Sequence, residues 1–384
     1  MKRKAVLWVL GFSAMVIAAL VFTAFRTVYV DPFFHYHEPR TDEFYYALDN
    51  QRSQNDGIVK HFSYQGLITG TSMTENFYIS AFGRFWDYSF VKVPLEGATF
   101  RETGDMIRTA LQENEDLRIV IRGLDMTRFR DDKDAIRTDL GDYPTYLYDN
   151  DIFNDVHYVF NRDVVFSRVY RMIRDRNNPD AAHGITSFDE YSNWMNGDYT
   201  FGKNTLYPDG VTVKEPECND DLPDIDLEML RESVRQNVTA IAGEYPGVQF
   251  YCFFPPYSVK WWQEELESGR LEQQIEAERV VIEELLRYRN IFVYSFNNMT
   301  NITTDLNNYK DATHYGDWIN SLMVRYMYDD RGLLTAENYE AYLEEEKELY
   351  STFDYAGLND QEDYEDDSLA ASLLAEEIYG YGGY

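Results

Sequence analysis

The segment YQGLITGTSMTEN, residues 64–76, joins a short apolar run to a polar turn. GLIT, residues 66–69, has the length and composition of a buried strand, and residues 74–86 have a helical pattern with Thr74 near the N-cap. Gly70 can adopt the unusual backbone angles that a sharp turn between them requires. The segment therefore predicts a strand-to-helix turn that carries Ser72.

The same alternation of strand and helix continues along the chain. Helical patterns follow further predicted strands at FVKV (90–93), LRIVIRGLD (117–125), VQFYCFF (248–254) and NIFVYSF (290–296). Five such repeats are typical of a doubly wound α/β fold, in which helices cover both faces of a parallel sheet of about five strands. Residues 126–223 are more polar, and we expect them to form an insertion at the edge of the sheet.

The N-terminus has the pattern of a membrane anchor. Lys2, Arg3 and Lys4 precede 21 uncharged residues, 5–25, which as a helix would span about 31 Å. A cleaved signal peptide is the alternative, but its apolar core is shorter, about 7–15 residues. The basic residues favour a cytoplasmic N-terminus. Residues 1–29 are thus predicted to be a single-pass anchor, with the rest of the chain outside.

Charge separates the other end of the chain. The net charge is −32, which excludes nucleic-acid binding because a polyphosphate would be repelled. Residues 335–384 contain fifteen acidic side chains against one lysine, and many tyrosines. Such a segment is usually a solvated, mobile tail, although it can also bind a partner. The predicted α/β domain is therefore residues 30–334.

No cofactor or metal site is predicted. The turn after the first strand lacks the glycines and the lysine of a phosphate-binding loop. HYH, residues 35–37, could bind a metal ion, but no cysteine or carboxylate cluster accompanies it, and packing near the membrane is the alternative. Cys218 and Cys252 are too few for a disulfide framework. They leave open a single bridge, and the apolar surroundings of Cys252 favour a buried thiol.

The candidate site follows from the fold. Ligands of a parallel sheet gather at the carboxyl ends of its strands, where Ser72, Gly97 and the Asp311–His314 pair are all predicted to lie. An aspartate three residues before a histidine can orient the imidazole, which can then take a proton from a serine. The alternatives are an ordinary turn residue for Ser72 and a helix cap for His314.

These blocks resemble those of the SGNH/GDSL hydrolase superfamily. GTSMTEN after the first strand, Gly97 after the second, GLD at 123–125 and DATH at 311–314 come in the same order, over roughly residues 57–329. The resemblance implies a flavodoxin-like sheet, with Ser72 as nucleophile, His314 as general base and Asp311 as its orienting carboxylate. The chain departs from the family at two positions. Thr71 replaces the aspartate of Gly-Asp-Ser, and Asp125 replaces an asparagine that helps to bind the oxyanion, a role for which Asn76 is the substitute.

Within this superfamily, the chain resembles single-pass members that act outside bacterial, mainly Gram-positive, cells. These include the D-alanyl transfer protein of teichoic acid synthesis and the O-acetylation proteins of exopolysaccharides. The resemblance implies an extracytoplasmic serine acyltransferase or esterase for acyl groups of an envelope polysaccharide, with a multi-spanning membrane acyltransferase as partner. A non-catalytic binding or assembly factor of such a complex is the alternative. Tyr257, Trp261 and Trp262 could stack on sugar rings or pack in the core.

Overall fold

The computed structural model describes residues 2–139, 143–149, 151–176, 178, 180–217, 224–364, 371–372 and 378. The chain divides into two compact units, of which the first consists of Met1–Phe62 and Leu140–Ser187 and the second of Ser63–Asp139 and Phe188–Tyr384. The predicted insertion, residues 126–223, is therefore divided between them, its middle part in the first unit and its two ends in the second.

The strands and helices alternate along much of the chain. In chain order the strands are β1 (Tyr45–Tyr46), β2 (Gly66–Thr69), β3 (Phe90–Lys92), β4 (Ile119–Gly123), β5 (Gly184–Ile185), β6 (Gln249–Phe254), β7 (Ile291–Ser295) and β8 (Leu333–Leu334). The α-helices are α1 (Lys2–Val30), α2 (Gln51–His61), α3 (Ile79–Phe85), α4 (Phe100–Glu113), α5 (Val156–Val159), α6 (Tyr170–Asp175), α7 (Lys203–Leu206), α8 (Leu227–Val234), α9 (Ala240–Glu244), α10 (Val259–Glu267), α11 (Leu271–Leu285), α12 (Thr300–Thr303), α13 (Asp317–Tyr328) and α14 (Tyr339–Thr352). Two π-helical segments, Asp163–Val169 and Arg235–Thr239, lead into α6 and α9.

The second unit is built on a six-stranded sheet in the order β3-β2-β4-β6-β7-β8. The first five strands in this order are parallel, and the short β8 pairs antiparallel with β7. The prediction of an α/β fold with a mostly parallel sheet is confirmed, with one more strand than expected. All residues of β2, β3 and β4 are buried, as in parallel sheets whose two faces are both covered.

Helices cover the two faces of this sheet. On one face, the Arg122 guanidinium donates to the carbonyl oxygens of Asn237, at 2.6 Å, and Phe100, at 2.9 Å. Tyr251 on β6 pairs with Ile121, the residue before Arg122, so its side chain points to the opposite face of the sheet. There its ring lies 5.8 Å from that of Trp86, at the end of α3. Alternation along the strands thus gives each face its own layer of helices.

The helix predicted from Thr74 begins later than expected. Residues Ser72–Thr74 form a single 3₁₀ turn, and α3 starts only at Ile79. Between them the chain is not helical, since Tyr78, the N-cap residue of α3, has an extended backbone. The carbonyl oxygens of Glu75 and, at 2.9 Å, Phe77 in this stretch accept hydrogen bonds from the buried Nζ of Lys92.

The prediction of a mobile acidic tail needs correction for residues 335–364. Helix α14 packs against α10 and α11, and burial of Leu343 and Tyr350 fixes its orientation. The Tyr350 ring stacks on Trp262 with centroids 4.2 Å apart. A final turn, Ala356–Asp360, buries Leu358. The remainder of the predicted mobile tail lies almost entirely outside the described residues.

In the first unit, α1 carries the apolar N-terminal run. By length and hydropathy this helix could cross a membrane, a criterion that signal sequences also meet. The two imidazoles of HYH have separate partners: His35 Nε2 lies 3.1 Å from an Asp155 oxygen, and the His37 ring contacts the backbone carbonyl oxygens of Glu38 and Val28. Both rings therefore take part in the packing of this unit.

Of the two cysteines, the structure describes only Cys252. Cys252 is a buried free thiol on β6, and burial raises its pKa to about 12. Cys218, the partner considered for a bridge, lies outside the described residues.

Candidate active site

Three side chains that are far apart in the sequence of the second unit meet beyond the carboxyl ends of the strands. Ser72 follows β2, and Asp311 and His314 lie in the loop that precedes α13. Ser72 Oγ is 2.8 Å from His314 Nε2, and His314 Nδ1 is 2.9 Å from Asp311 Oδ2. The structure thus brings together the three residues that the sequence selected.

The loop around His314 is held by the same carboxylate that contacts its ring. Asp311 Oδ1 accepts hydrogen bonds from the backbone N–H groups of Thr313, at 2.9 Å, and His314, at 2.8 Å. Burial raises the pKa of Asp311, but the hydrogen bond and charge of His314 and the two backbone donors outweigh this effect and lower it to about 2. The carboxylate is therefore ionised at neutral pH.

This geometry favours one tautomer of the His314 imidazole. In the neutral imidazole, an Nδ1–H that donates to the ionised Asp311 leaves Nε2 without a proton and facing the Ser72 hydroxyl. In that tautomer Nε2 can take the hydroxyl proton as Ser72 attacks an electrophile. The arrangement can therefore activate Ser72 as a nucleophile.

Asp125 lines the same cavity as Ser72, but both of its carboxylate oxygens already accept hydrogen bonds. Its Oδ2 accepts a hydrogen bond from the Thr71 hydroxyl at 2.6 Å, while Oδ1 accepts from the Tyr257 hydroxyl and from the N–H and hydroxyl of Thr127. Asp125 is thus an acceptor that supports the turn behind Ser72. The two positions at which the chain departs from the SGNH blocks, Thr71 and Asp125, contact each other.

Asn76 is also not where an oxyanion donor is needed. The residue is buried, and its Oδ1 accepts a hydrogen bond from the backbone N–H of Trp194 at 3.1 Å. Its Nδ2 has no hydrogen-bond partner among the described residues, and Asn76 is not part of the cavity wall around Ser72. We therefore correct the assignment of Asn76 to a packing role beside Trp194.

A cavity of about 440 Å³ opens at the Ser72 hydroxyl. Gly97 forms part of its wall with a left-handed φ of 60°, and a Cβ atom at this position would lie 1.5 Å from Arg137 Nη1. In the part of the chain that the structure describes, the backbone N–H groups of Ser72 and Gly97 have no hydrogen-bond acceptor. Both groups are therefore free to bind an anionic oxygen in this cavity.

Sequence reasoning missed a cation on the cavity wall. The ammonium of Lys310 lies 3.6 Å from the centroid of the Trp194 ring and 3.9 Å from that of Tyr199. Burial lowers the pKa of Lys310, and the charges of Asp311, Glu75 and Glu96 act in the opposite direction, although none of these three carboxylates forms an ion pair with it. The available signal was its position next to Asp311. Its aromatic partners come from the polar stretch 126–223, which gave no indication of a role.

The aromatic cluster after β6 is mainly structural. Trp261 and Trp262 are buried, and only Tyr257 reaches the cavity, where its hydroxyl is bonded to Asp125. Trp194 and Tyr199 form the aromatic wall instead.

Comparisons with models of protein families, with curated proteins and with solved structures found no match to this chain.

Proposed function

We propose that the second unit is an extracytoplasmic serine-dependent acyl-transfer enzyme. It moves an acetyl-like group to or from an envelope polysaccharide by way of an acyl-serine at Ser72. The observation that carries this proposal is the continuous hydrogen-bonded chain from Ser72 through His314 to Asp311.

The sheet supports placing the unit with the SGNH hydrolases. Counted along the chain, its five parallel strands have the order 2-1-3-4-5, which is the flavodoxin-like order. Ser72 follows the first of these strands, and Asp311 and His314 follow the last. In doubly wound sheets, ligands bind beyond these strand ends.

The proposed reaction has two steps. Ser72 Oγ attacks the acyl carbonyl carbon and its proton passes to His314 Nε2, after which the same proton goes to the oxygen of the departing alcohol. The backbone N–H groups of Ser72 and Gly97 bind the oxyanion of the tetrahedral intermediate. In the second step an acceptor hydroxyl, or water, gives its proton to His314 and takes the acyl group, and the proton returns to Ser72.

Asp125 is compatible with this reaction because donors from the protein already bind its carboxylate oxygens. Four donors from Thr71, Thr127 and Tyr257 surround the two carboxylate oxygens. These four hydrogen bonds stabilise the carboxylate charge, which weakens its repulsion of an oxyanion in the cavity. The Ser72 and Gly97 backbone donors then replace the side-chain donor that an asparagine would supply.

The proposed location is the outer face of a bacterial cell membrane, with α1 as a single-pass anchor. Lys2, Arg3 and Lys4 before the apolar run support a cytoplasmic N-terminus. An enzyme outside the cell that transfers acyl groups needs a supply of them, for which a multi-spanning membrane acyltransferase is the proposed partner. Trp194 and Tyr199 would contact the sugar rings of the acceptor.

The test compares Ser72→Ala with Ser80→Ala, an exposed serine on α3 outside the cavity. With 4-nitrophenyl acetate as acyl donor, Ser72→Ala should lower the rate by a factor on the order of 10³ or more, whereas Ser80→Ala should not change it. A fluorophosphonate probe should label the wild-type protein at Ser72, as read by mass spectrometry.

The alternative is a non-catalytic factor of an envelope-modification complex, and the loss of the family asparagine at Asp125 favours it. If the wild type is not labelled and Ser72→Ala keeps the wild-type rate, the enzyme proposal is wrong. Binding of envelope polysaccharide by the Ser72→Ala protein would then support the assembly role.

A further inference from the structure

A segment of the first unit lies where the apolar helix α1 ends. If α1 spans a membrane, as proposed above, its uncharged run ends at residue 25 and the next turn lies at the lipid headgroups. Thr27 in that turn is buried, and its hydroxyl donates to the Val159 carbonyl oxygen at 3.1 Å. The residues around Val159 are therefore held at the depth of the membrane surface.

This segment, residues 152–176, exposes an unusual amount of apolar surface. Six of the eleven large apolar side chains that are exposed outside α1, in the part of the chain that the structure describes, come from it, and each is at least 41% exposed. They are Ile152, Phe153, Val156, Phe160, Phe166 and Tyr170. The opposite side of the segment faces inward, since Val159, Val164 and Val169 are buried.

The charge of the 152–176 segment is opposite to that of the chain. It contains five arginines and three aspartates, within a protein of net charge −32. Arg168 and Arg176 are paired with Asp49 and Glu43, but Arg162 and Arg171 are exposed and form no ion pair among the described residues, although the charge of Arg171 acts on Asp175. A helix with exposed aromatic residues beside unpaired arginines has the composition of one that lies in an anionic membrane surface.

We propose that the 152–176 segment docks on the outer membrane surface and inserts its apolar side chains between anionic lipid headgroups. The inference rests on the proposed anchoring by α1, whose contact with the segment fixes the depth. Insertion would remove the exposed aromatic surface from water, and Arg162 and Arg171 would pair with lipid phosphates. The occupant is lipid, because a protein partner is not needed to cover a surface that already lies at the headgroups.

The experiment uses the full chain in nanodiscs that contain phosphatidylglycerol and phosphatidylcholine and no other protein. A nitroxide is attached to Phe166→Cys in a Cys218→Ser background, where the buried Cys252 does not react. Two controls carry the label elsewhere, Ala14→Cys inside α1 and Tyr328→Cys on the exposed surface of the second unit. Collision rates with oxygen, which concentrates in lipid, and with a water-soluble nickel chelate are then compared.

The Phe166 label should have an oxygen-to-nickel collision ratio several-fold above that of the Tyr328 label, and this ratio should fall in discs of phosphatidylcholine alone. Equal ratios at Phe166 and Tyr328, with the Ala14 label in lipid, would overturn docking while leaving the anchor intact, and would point to a protein partner for the segment. A nickel-accessible Ala14 label would show instead that α1 does not span the membrane.

Discussion

Thr71 donates a hydrogen bond to Asp125 across 2.6 Å, and Ser72 is the next residue in the chain. The pair joins the turn after β2 to the turn after β4, so the position of the nucleophile depends on a contact between two strand ends. Asp125 is already saturated with donors, and a neutral side chain at this position could not accept all of them.

We expect Asp125→Asn to lower acyl transfer and stability together. The amide nitrogen is not an acceptor, so at least one of the hydroxyls of Thr71, Thr127 and Tyr257 loses its partner, at a cost of about 1–3 kcal/mol. Thermal unfolding and the ester hydrolysis rate provide the two measurements. Asp116→Asn, an exposed aspartate before β4, is the matched control and should change neither. Faster hydrolysis by Asp125→Asn would instead place this side chain at the oxyanion.

The imidazole and its carboxylate should differ in importance. His314→Ala removes the base, whereas Asp311→Asn keeps it and disturbs its tautomer, so kcat should fall further in the first variant. The Asp311 pKa of about 2 lies below its usual 3.8. Its stabilising contribution is therefore present above pH 3.8 and is lost as the pH falls through about 2. A pH–rate profile above pH 4 should accordingly contain no titration of Asp311, and a limb that disappears in Asp311→Asn would contradict this.

Lys310 should select for acyl substrates with a negative charge. Lys310→Gln removes a cation from a cavity whose wall also carries Glu75 and Glu96, so KM for an anionic ester should rise about tenfold more than KM for a neutral ester of the same acyl group. Lys260→Gln is the control, since Lys260 also lies over a tyrosine ring, that of Tyr207, but is paired with Glu264. An equal change for both esters would assign Lys310 to packing.

Residues 354–364 should contribute to stability. Tyr355 and Leu358 are buried, and Lys203 Nζ donates to the Asn359 carbonyl oxygen at 2.8 Å. Truncation before Asp354 should lower Tm by at least about 5 °C, because two large apolar side chains lose their burial. Truncation before residue 365 keeps both side chains and should cost less. Equal transitions for the 354 truncation and the full chain would show that these contacts are weak.

A buried pair of glutamates should make the second unit less stable as the pH rises. Burial raises the pKa of Glu278 from the usual 4.5 to about 8, and the pKa of Glu346, which is also fully buried, is raised by its burial and by the charge of Glu278. The groups facing this pair are Gln274, Asn297, Tyr342 and Tyr350. Because the folded-state pKa is the higher one, the stabilising contribution of Glu278 is complete below pH 4.5 and is lost as the pH rises through about 8.

Glu278→Gln should reduce the decline of Tm between pH 5 and pH 8, since the amide cannot ionise. Glu345→Gln, an exposed position on α14, is the control and should retain the wild-type slope. A wild-type Tm that rises steadily over this range would contradict the assignment, although Lys92, whose pKa is lowered by burial to about 7, acts in the opposite direction above neutral pH.

The amino-acid pattern was sufficient for the elements that depend on neighbours in the chain. Apolar runs of four to six residues became the buried strands β2, β4 and β6, and the spacing of Asp311 and His314 was enough to predict their contact. The start of α3 was missed because the stretch before it contacts a distant residue: Lys92, on another strand, donates to the carbonyl oxygens of Glu75 and Phe77, a contact that the local pattern does not contain. The packing of α14 was missed because acidic residues outnumber the few apolar residues that it buries.

What the sequence determined by itself was therefore the α/β class, the apolar N-terminal helix and the contact between Asp311 and His314, because periodicity and short spacings act through the local backbone. The tertiary structure decided which distant residues meet. Ser72 and His314 are 242 positions apart, and only the packing of the sheet brings them within 2.8 Å. The same packing brings Asp125 into contact with Thr71 and Lys310 into contact with Trp194, since contacts between loops depend on where each strand ends in space.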